Sequence, residues 1–324
     1  MDRKYQLRHS LYLFIAAVVW GISFVSQRSA MQAQLGGFTF NGIRLIIGSL
    51  VLIPVVFFLR KKEGISSWDL EKQKDYRKNT IFGGIICGLI LCLATNLQQF
   101  GVIGISAGKT GFITALYIIE VPIVSIFIFR KKASWLLALA VPLALGGMIL
   151  LCMVGETFTF SKYELLVLMC SLVFTVHVLF IDYIAPKADG VAMSCIQFAV
   201  AGIISLILMC IFEKPQMDMI LDCKVEILYA GIGSCGVAYT LQIVGQKNMN
   251  PTTCALILSL ESTVSVLAGW IILKETLSVY QAIGCVLMFA AIIIAQLPHD
   301  MGKRLIKRDK IEEEKVEEEK CEQQ

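Results

Sequence analysis

The chain has 324 residues, of which 56% are apolar and 17% are charged, and its mean hydropathy is +0.72. A soluble domain carries about 25% charged residues. Of the 54 charged residues of this chain, 31 lie in residues 1–10, 60–80 and 298–324. So little polar surface cannot cover a water-soluble globule, which excludes a soluble enzyme, a secreted domain and a disordered chain. The composition indicates an integral membrane protein with many helical spans.

Ten apolar runs follow one another along the chain, each near the 20 or so residues that a helix needs to cross a bilayer. Backbone groups in hydrocarbon must bond within their own segment, which favours helices over strands. The first run follows Arg3 and Arg8 as in a signal peptide, but its 21 residues favour a retained first helix. We therefore predict an all-α, polytopic membrane protein with ten transmembrane helices at 11–31, 38–59, 81–100, 110–129, 134–154, 163–184, 191–212, 225–246, 252–273 and 279–297.

Lysine and arginine residues concentrate in alternate connections between these runs. With the N-terminus inside, the cytoplasmic segments hold 22 of them and the outside segments hold 5. The positive-inside rule then predicts that both termini are cytoplasmic, which agrees with an even number of spans. We expect the protein to lie in the plasma membrane. Residues 1–10 form the cytoplasmic N-terminus, and residues 298–324 form a charged cytoplasmic tail.

The two halves of the sequence match each other weakly. At a spacing of 144, LQQFG at 97–101 falls on LQIVG at 241–245, and Tyr117 falls on Glu261. At spacings of 153 to 154, the following pairs match: Trp20 with Phe174, Ser23 with His177, and Arg44 with Gln197. Chance likeness between apolar helices is the alternative. If the match is real, each half, at 11–154 and 163–297, is a repeat of five spans. Because five is an odd number, the second repeat enters the membrane from the opposite side, and the two repeats are inverted, as in many secondary transporters.

Four segments carry a family pattern: WGISFVSQ at 20–27, IRLIIGSLVLIP at 43–54, SAGKTGFITALYIIEVPIV at 106–124, and NPTTCALILSLESTVSVLAGWIILKETLS at 250–278. In this order they resemble EamA-type members of the drug/metabolite transporter superfamily. The resemblance implies ten helices, two EamA repeats and passage of small organic solutes, with a lean toward export.

Two positions depart from the pattern that the resemblance implies. The family's last motif has Glu-Pro where this chain has Glu261 and Ser262, and the following turn has Gly-Glu where this chain has Lys274 and Glu275. Without the proline, we expect the ninth helix to be straighter.

Ionisable side chains inside apolar spans are costly and usually face a cavity or a partner. Glu261 lies near the middle of the ninth span. It can act as a solute-facing or protonatable carboxylate, or it can be a buried acid that accepts a hydrogen bond from a backbone or side-chain donor. Tyr117 occupies the matching position in the first half. Glu120 lies three residues further on, so the two share one helical face and are predicted to line one cavity.

Further candidates for substrate or coupling sites lie in other spans. His177 can titrate near neutral pH or serve as a packing residue. Arg44 can attract an anionic group, neutralise Glu261 or Glu120, or clamp helix-end carbonyls. Trp20 can form an apolar wall or pack in the core. The neutral polar candidates are Asn96, Gln98 and Gln242.

Catalytic and cofactor motifs are missing from the sequence. It contains no GxSxG, HExxH or P-loop, its 11 cysteines form no CxxC, and no basic stripe with aromatics suggests nucleic acid. We therefore expect no enzyme activity, cofactor or metal, and predict a secondary active transporter for a small organic solute, working by alternating access with proton coupling or exchange. The alternatives are a channel or receptor without coupled turnover and a membrane-embedded enzyme. Helices five and ten are least polar and are expected to act as a scaffold or as a homodimer contact.

Overall fold

The structure is a computed structural model that describes residues 3–63, 69–129, 135–151, 153–154, 157–158, 160–184, 187–246, 257–258 and 260–296. Apart from turns and connections, this part of the chain is helical except for a short antiparallel pair, β1 (Met153–Val154) and β2 (Thr157–Phe158). The predicted all-α class is therefore confirmed. The predicted cytoplasmic tail at 298–324 lies outside the described residues.

The helices follow the apolar runs in order, but several begin earlier than apolarity alone suggests. The first begins at Arg3 and the third at Leu70, because both continue into charged segments. The elements are α1 (Arg3–Gln32), α2 (Gly37–Glu63), α3 (Leu70–Gly101), α4 (Ala107–Thr114), α5 (Tyr117–Phe129), α6 (Trp135–Leu151), α7 (Lys162–Ile184), α8 (Gly190–Phe212), α9 (Met217–Asp222), α10 (Lys224–Leu228), a π-helix (Tyr229–Ala238), α11 (Tyr239–Gln246), α12 (Leu260–Leu273) and α13 (Val279–Gln296).

Five helical segments within the described residues are long and apolar enough to cross a membrane. They are Tyr5–Gln32, Gly37–Leu59, Gln73–Gly101, Lys162–Ile181 and Gly190–Phe212. Shorter apolar helical segments lie at Ala138–Leu151, Leu260–Leu273 and Val279–Ile294. Their outward faces carry large apolar side chains, as expected for a protein surrounded by lipid.

Two of the helical rods are irregular near their middles. A two-residue turn at 115–116 separates α4 from α5, whereas α10, the π-helix and α11 continue one another without a gap. Broken helices at membrane depth are tolerated where they line a cavity or pack within the protein. π-helical turns also occur frequently at functional sites. Both irregularities place side chains on the cavity described below.

The most extensive helix contacts join the first half of the chain, α1 to α6, to the second half, α7 to α13. Helix α2 packs on α8, α6 packs on α13, and α3 packs on both α7 and α8. Helix α1 packs on α12 and on the rod formed by α10, the π-helix and α11. The halves are therefore interleaved rather than separate domains.

Glycines permit the close approach of these helices. A Cβ on Gly284 would lie 2.6 Å from the carbonyl oxygen of Gly147, at the contact of α13 with α6. A Cβ on Gly84 would lie 2.6 Å from the Cβ of Ile196, at the contact of α3 with α8. Small residues are used in this way at helix interfaces in membranes, where backbones pack closely.

Candidate functional site

A cavity of about 170 Å³ lies between the two halves of the chain. Its lining comes from most of the helices, and within the described residues none of it comes from α6, α9, α10 or α13. A volume of only about 10 to 15 Å³ on this measure holds one water, so this cavity has room for a small organic solute. Seven of the nine predicted site residues line it: Trp20, Arg44, Gln98, Tyr117, His177, Gln242 and Glu261.

Most of the lining residues fall into pairs at the spacings of the internal repeat. Of the 21 lining residues that belong to the described part of the chain, 18 form such pairs. At spacings of 153 to 154 the pairs are Trp20–Phe174, Ser23–His177, Phe24–Val178, Gln27–Ile181 and Leu45–Phe198. At a spacing of 144 they are Leu91–Cys235, Thr95–Tyr239, Gln98–Gln242 and Tyr117–Glu261. Equivalent positions of the two halves therefore face one shared space.

Aromatic rings form much of the cavity wall. The ring of Tyr239 lies edge-on to Trp20 and to Phe198, with centroid distances of 5.0 Å in both cases. On the other side, Tyr117 and Phe174 have ring centroids 6.4 Å apart. The indole N–H of Trp20 donates to the backbone oxygen of Ser234 at 3.2 Å, which fixes the ring. Such walls suit an apolar or aromatic portion of a solute.

Arg44 brings a guanidinium to this cavity from α2. It is 4% exposed, its Nε donates to Asn41 Oδ1 at 2.8 Å, and its Cζ lies 5.4 Å from the centroid of the Phe40 ring. The Asn41 amide in turn donates to the Thr95 carbonyl oxygen and to Asn96 Oδ1, both at 3.0 Å. No carboxylate among the described residues pairs with Arg44, so its charge is available to an anionic group.

Glu261 and His177 add two titratable groups to the lining. Glu261 lies in the first turn of α12 and is 6% exposed, and no described residue forms a hydrogen bond or ion pair with its carboxylate. His177 has a partner, since its Nε2 lies 3.0 Å from Gln197 Oε1. Gln197, the repeat equivalent of Arg44, makes this contact with His177 and is not itself among the residues that line the cavity.

Neutral polar groups complete the lining. The Gln98 side-chain amide donates to the Thr114 hydroxyl at 3.1 Å, which joins α3 to the end of α4. On α1, the Ser23 hydroxyl and the Gln27 side-chain oxygen are buried without a hydrogen-bond partner among the described residues. Unpaired buried polar atoms are costly, so a bound solute or water that pairs with them would be stabilised.

Two predicted site residues lie away from the cavity. Glu120 accepts hydrogen bonds from the hydroxyls of Ser171 at 2.7 Å and Thr175 at 2.8 Å, which tie α5 to α7. Glu120 is not among the residues that line the cavity with Tyr117. Asn96 points between α2 and α8, where its amide donates to Ser205 Oγ at 3.1 Å. Both residues bond to neighbouring helices in this arrangement.

Several lining residues were not predicted from the sequence, and Tyr239 is the most prominent. It lies 144 residues after Thr95, also a lining residue. Extending the repeat alignment from the LQ pair at 97–98 by two residues would have found this pair. Ser234 carried no comparable signal, because it has no repeat partner in the lining and reaches the cavity from the π-helical turn.

Comparison with known families decides the class of protein. The sequence pattern of the EamA-like transporter family matches residues 7–153 and, a second time, residues 161–296. The chain belongs to the EamA-like transporter family. This confirms the resemblance drawn from the sequence motifs, and it identifies the chain as a membrane transporter in general terms.

Curated relatives of this EamA-like protein carry transporter names. An "Uncharacterized transporter" of Archaeoglobus fulgidus is 25% identical over 292 residues, which cover 90% of this chain and 87% of that protein. The "Uncharacterized transporter YoaV" of Bacillus subtilis strain 168 is 21% identical over 291 residues, covering 88% and 95%. These similarities extend over almost the whole length of each protein.

A solved structure also resembles this EamA-like chain. It is described as "Crystal structure of protein", aligns with a TM-score of 0.62 at 16% identity, and covers 89% of this chain and 96% of that one. At this identity the likeness shows a shared fold alone.

Proposed function

We propose that this chain is a secondary active transporter that moves a small organic metabolite or drug across the plasma membrane by alternating access. Export is the expected direction, with proton coupling or solute exchange as the driving force. The observation that carries the proposal is the shared cavity, whose lining residues come in repeat-related pairs from both halves. Two halves that rock about such a site would expose it to one side of the membrane and then to the other.

The proposed architecture is ten transmembrane helices in two inverted five-helix repeats, spanning 11–154 and 163–297. The double match of the family pattern supports two repeats. The packing supports an inverted relation, because α2–α8 and α6–α13 are contacts between equivalent helices. The contact of α3 with α7 likewise has its counterpart in the contact of α1 with the rod that contains α11.

Orientation follows from the charge bias of the loops. We infer that both termini are cytoplasmic, since 22 lysines and arginines fall on that side and 5 on the other. The end of the bundle at which α1 ends and α2 begins is then extracellular.

In the proposed mechanism, the solute occupies the cavity with its apolar portion against Trp20 and Tyr239. An anionic group would bind Arg44, which Asn41 holds in place. A cationic or hydrogen-bond-donating group would bind the carboxylate of Glu261. The amides of Gln98 and Gln242 are equivalent across the repeat and are placed to bond polar groups of the solute.

Coupling requires a group that changes charge during the cycle. Glu261 is proposed for this role, because its carboxylate lines the cavity and has no partner among the described residues. His177 is the second candidate, and its hydrogen bond to Gln197 would have to reorganise when it gains a proton. Glu120 is a weaker candidate than the sequence suggested, because Ser171 and Thr175 already satisfy its two oxygens.

A channel or a receptor without turnover is the alternative function. A channel predicts flux that does not saturate with solute concentration, and a receptor predicts no flux. The transporter names of the relatives favour the transporter over these classes and over a membrane-embedded enzyme.

The experiment has two stages. Detergent-purified protein is screened against a metabolite library by thermal shift, because a ligand that binds the folded state raises its apparent stability. Each hit is then tested in proteoliposomes by counterflow, in which unlabelled solute inside drives uptake of labelled solute. Saturable counterflow supports the proposal, and its absence for every solute that binds would reject it.

A further inference from the structure

Four glutamates of the second half bind groups of the first half at one end of the bundle. Each contact lies near a helix terminus at the end where α1 ends and where α2, α4 and α7 begin. The pairs, which we call the latch, are Glu164 with Lys109, Glu213 with Phe38 and Thr39, Glu226 with Ser29, and Glu275 with Ala107. In each pair the acceptor belongs to the second half and the donor to the first.

Glu213 binds the beginning of α2. It follows the last residue of α8, and its carboxylate accepts the backbone N–H groups of Phe38 at 2.9 Å and Thr39 at 2.8 Å. The Thr39 hydroxyl donates to the same carboxylate at 2.7 Å. A negative charge at a helix N-terminus is stabilised by the free N–H groups and the helix dipole. A Cβ on Gly36 would overlap this carboxylate, so the glycine leaves room for it.

Glu275 binds the beginning of α4 in the same manner. It lies in the connection between α12 and α13, and its Oε2 accepts the backbone N–H of Ala107 at 3.0 Å. Arg28 Nε of α1 lies 3.7 Å from its other oxygen, and Arg28 also donates to the carbonyl oxygens of Val102 and Ile103. Burial raises the pKa of Glu275, while the Ala107 N–H and Arg28 act against that rise. One carboxylate therefore joins three segments.

The two remaining pairs extend the latch around the bundle. Lys109 Nζ lies 2.5 Å from Glu164 Oε1 in a buried ion pair, and the backbone N–H of Ser161 donates to the second oxygen at 3.0 Å. The Ser29 hydroxyl donates to Glu226 at 2.9 Å, one residue along α1 from Arg28. Polar contacts at these sites, unlike the apolar packing of α6 on α13, can be replaced by hydrogen bonds to water.

We propose that these four glutamates form a gate that closes this end of the cavity and opens as a unit when the halves move apart. The inference rests on the proposed alternating-access function and adds the residues that hold one of its two states. Because the donor lies on the first half and the acceptor on the second in each of the four pairs, one displacement of the halves at this end of the bundle would release all four contacts.

Access to the cavity can be measured directly, because Cys235 lines it. A membrane-impermeant thiol reagent is added to intact cells and, separately, to inside-out vesicles, and mass spectrometry measures modification of the peptide that contains Cys235. The variants are Glu213→Gln, Glu275→Gln and the double variant. Asp218→Asn is the matched control, since Asp218 is an exposed acid on α9, in the same connection as Glu213.

The proposal predicts faster modification of Cys235 in both latch variants, from one side of the membrane alone. The expected increase is about tenfold, the factor that corresponds to the loss of one charge-assisted hydrogen bond. The control should match the wild type. Rates in the latch variants that equal the wild-type rate, or that rise equally from both sides, overturn the gate.

A second measurement covers the case in which a glutamine variant folds poorly. Thr39→Cys and Glu213→Cys are combined and joined by a short bifunctional thiol reagent, with Glu275→Gln introduced in the same chain. The cross-link should restore slow modification of Cys235 from the latch side, whereas fast modification despite the cross-link contradicts the gate. This experiment measures access to the cavity and not transport. Missing counterflow therefore rejects the transporter proposal without deciding the gate, and a failed access test rejects the gate without deciding the transporter proposal.

Discussion

Tyr117 and Glu261 lie 144 residues apart and line the same cavity, one from each half of the chain. Tyr117 begins α5 directly after the break at 115–116, and Glu261 is the second residue of α12. The same position therefore supplies a phenol in one half and a carboxylate in the other. The two positions are equivalent in the repeat, but only one of them carries a carboxylate. The site is therefore asymmetric in charge, and a solute can be bound in one preferred orientation.

Replacement of Glu261 by Gln is expected to cut counterflow while expression and folding remain intact. The substitution preserves size but removes the negative charge, so a cationic group of the solute or a coupling proton loses its acceptor. The expected loss of initial rate is about tenfold or more, as follows from one lost charge-assisted contact. Initial rates in proteoliposomes at equal protein content measure it, and wild-type rates would remove Glu261 from the mechanism.

Replacement of Glu120 by Ala is expected to lower stability and leave the transport chemistry in place. Without the carboxylate, the Thr175 hydroxyl loses its acceptor, while the Ser171 hydroxyl keeps its bond to the Leu168 carbonyl oxygen at 2.8 Å. The expected cost is about 1–3 kcal/mol of unfolding free energy, as for a buried polar group left unpaired. Thermal unfolding in detergent measures the cost. If stability were unchanged and counterflow lost, Glu120 would return to the list of coupling residues.

Adjacent glycines on α6 provide a matched test of helix packing. A Cβ on Gly147 would lie 2.7 Å from Met288 Cγ of α13, whereas a Cβ on Gly146 meets nothing within 4 Å. Gly147→Ala is expected to destabilise the fold by about 1–3 kcal/mol through overpacking, and Gly146→Ala by no more than about 0.5 kcal/mol. Thermal unfolding of both variants checks the difference. Equal effects would mean that α6 and α13 do not pack as described.

The apolar pattern of the sequence was enough to predict the helices but not their irregularities. A helix that leaves the bilayer, as α3 does from Leu70, is not marked by apolarity, because its first turns are charged. Neither the break after Thr114 nor the π-helical turn at Tyr229–Ala238 coincides with a proline or with an interruption of the predicted spans, so the apolar runs did not indicate them.

The site was predicted where a charged or amide side chain stood in an apolar run. Such residues must face a cavity or a partner, and the structure separates these two outcomes: Glu261 faces the cavity, and Glu120 has partners. The sequence could not separate them, because the Ser171 and Thr175 hydroxyls that bind Glu120 lie more than 50 residues away in sequence. The aromatic wall was harder to predict, since Tyr239 and Phe198 resemble ordinary core residues.

If solute passes through the cavity between the halves, a bulky side chain that fills the cavity must stop transport. Counterflow is measured for Thr95→Phe, whose added ring enters the cavity, and for Leu93→Phe, two residues away on the same helix and 54% exposed toward lipid. Both proteins are first shown to be folded by size-exclusion chromatography. We expect Thr95→Phe to abolish saturable counterflow and Leu93→Phe to retain it. Wild-type counterflow in folded Thr95→Phe would show that solute does not pass through this cavity.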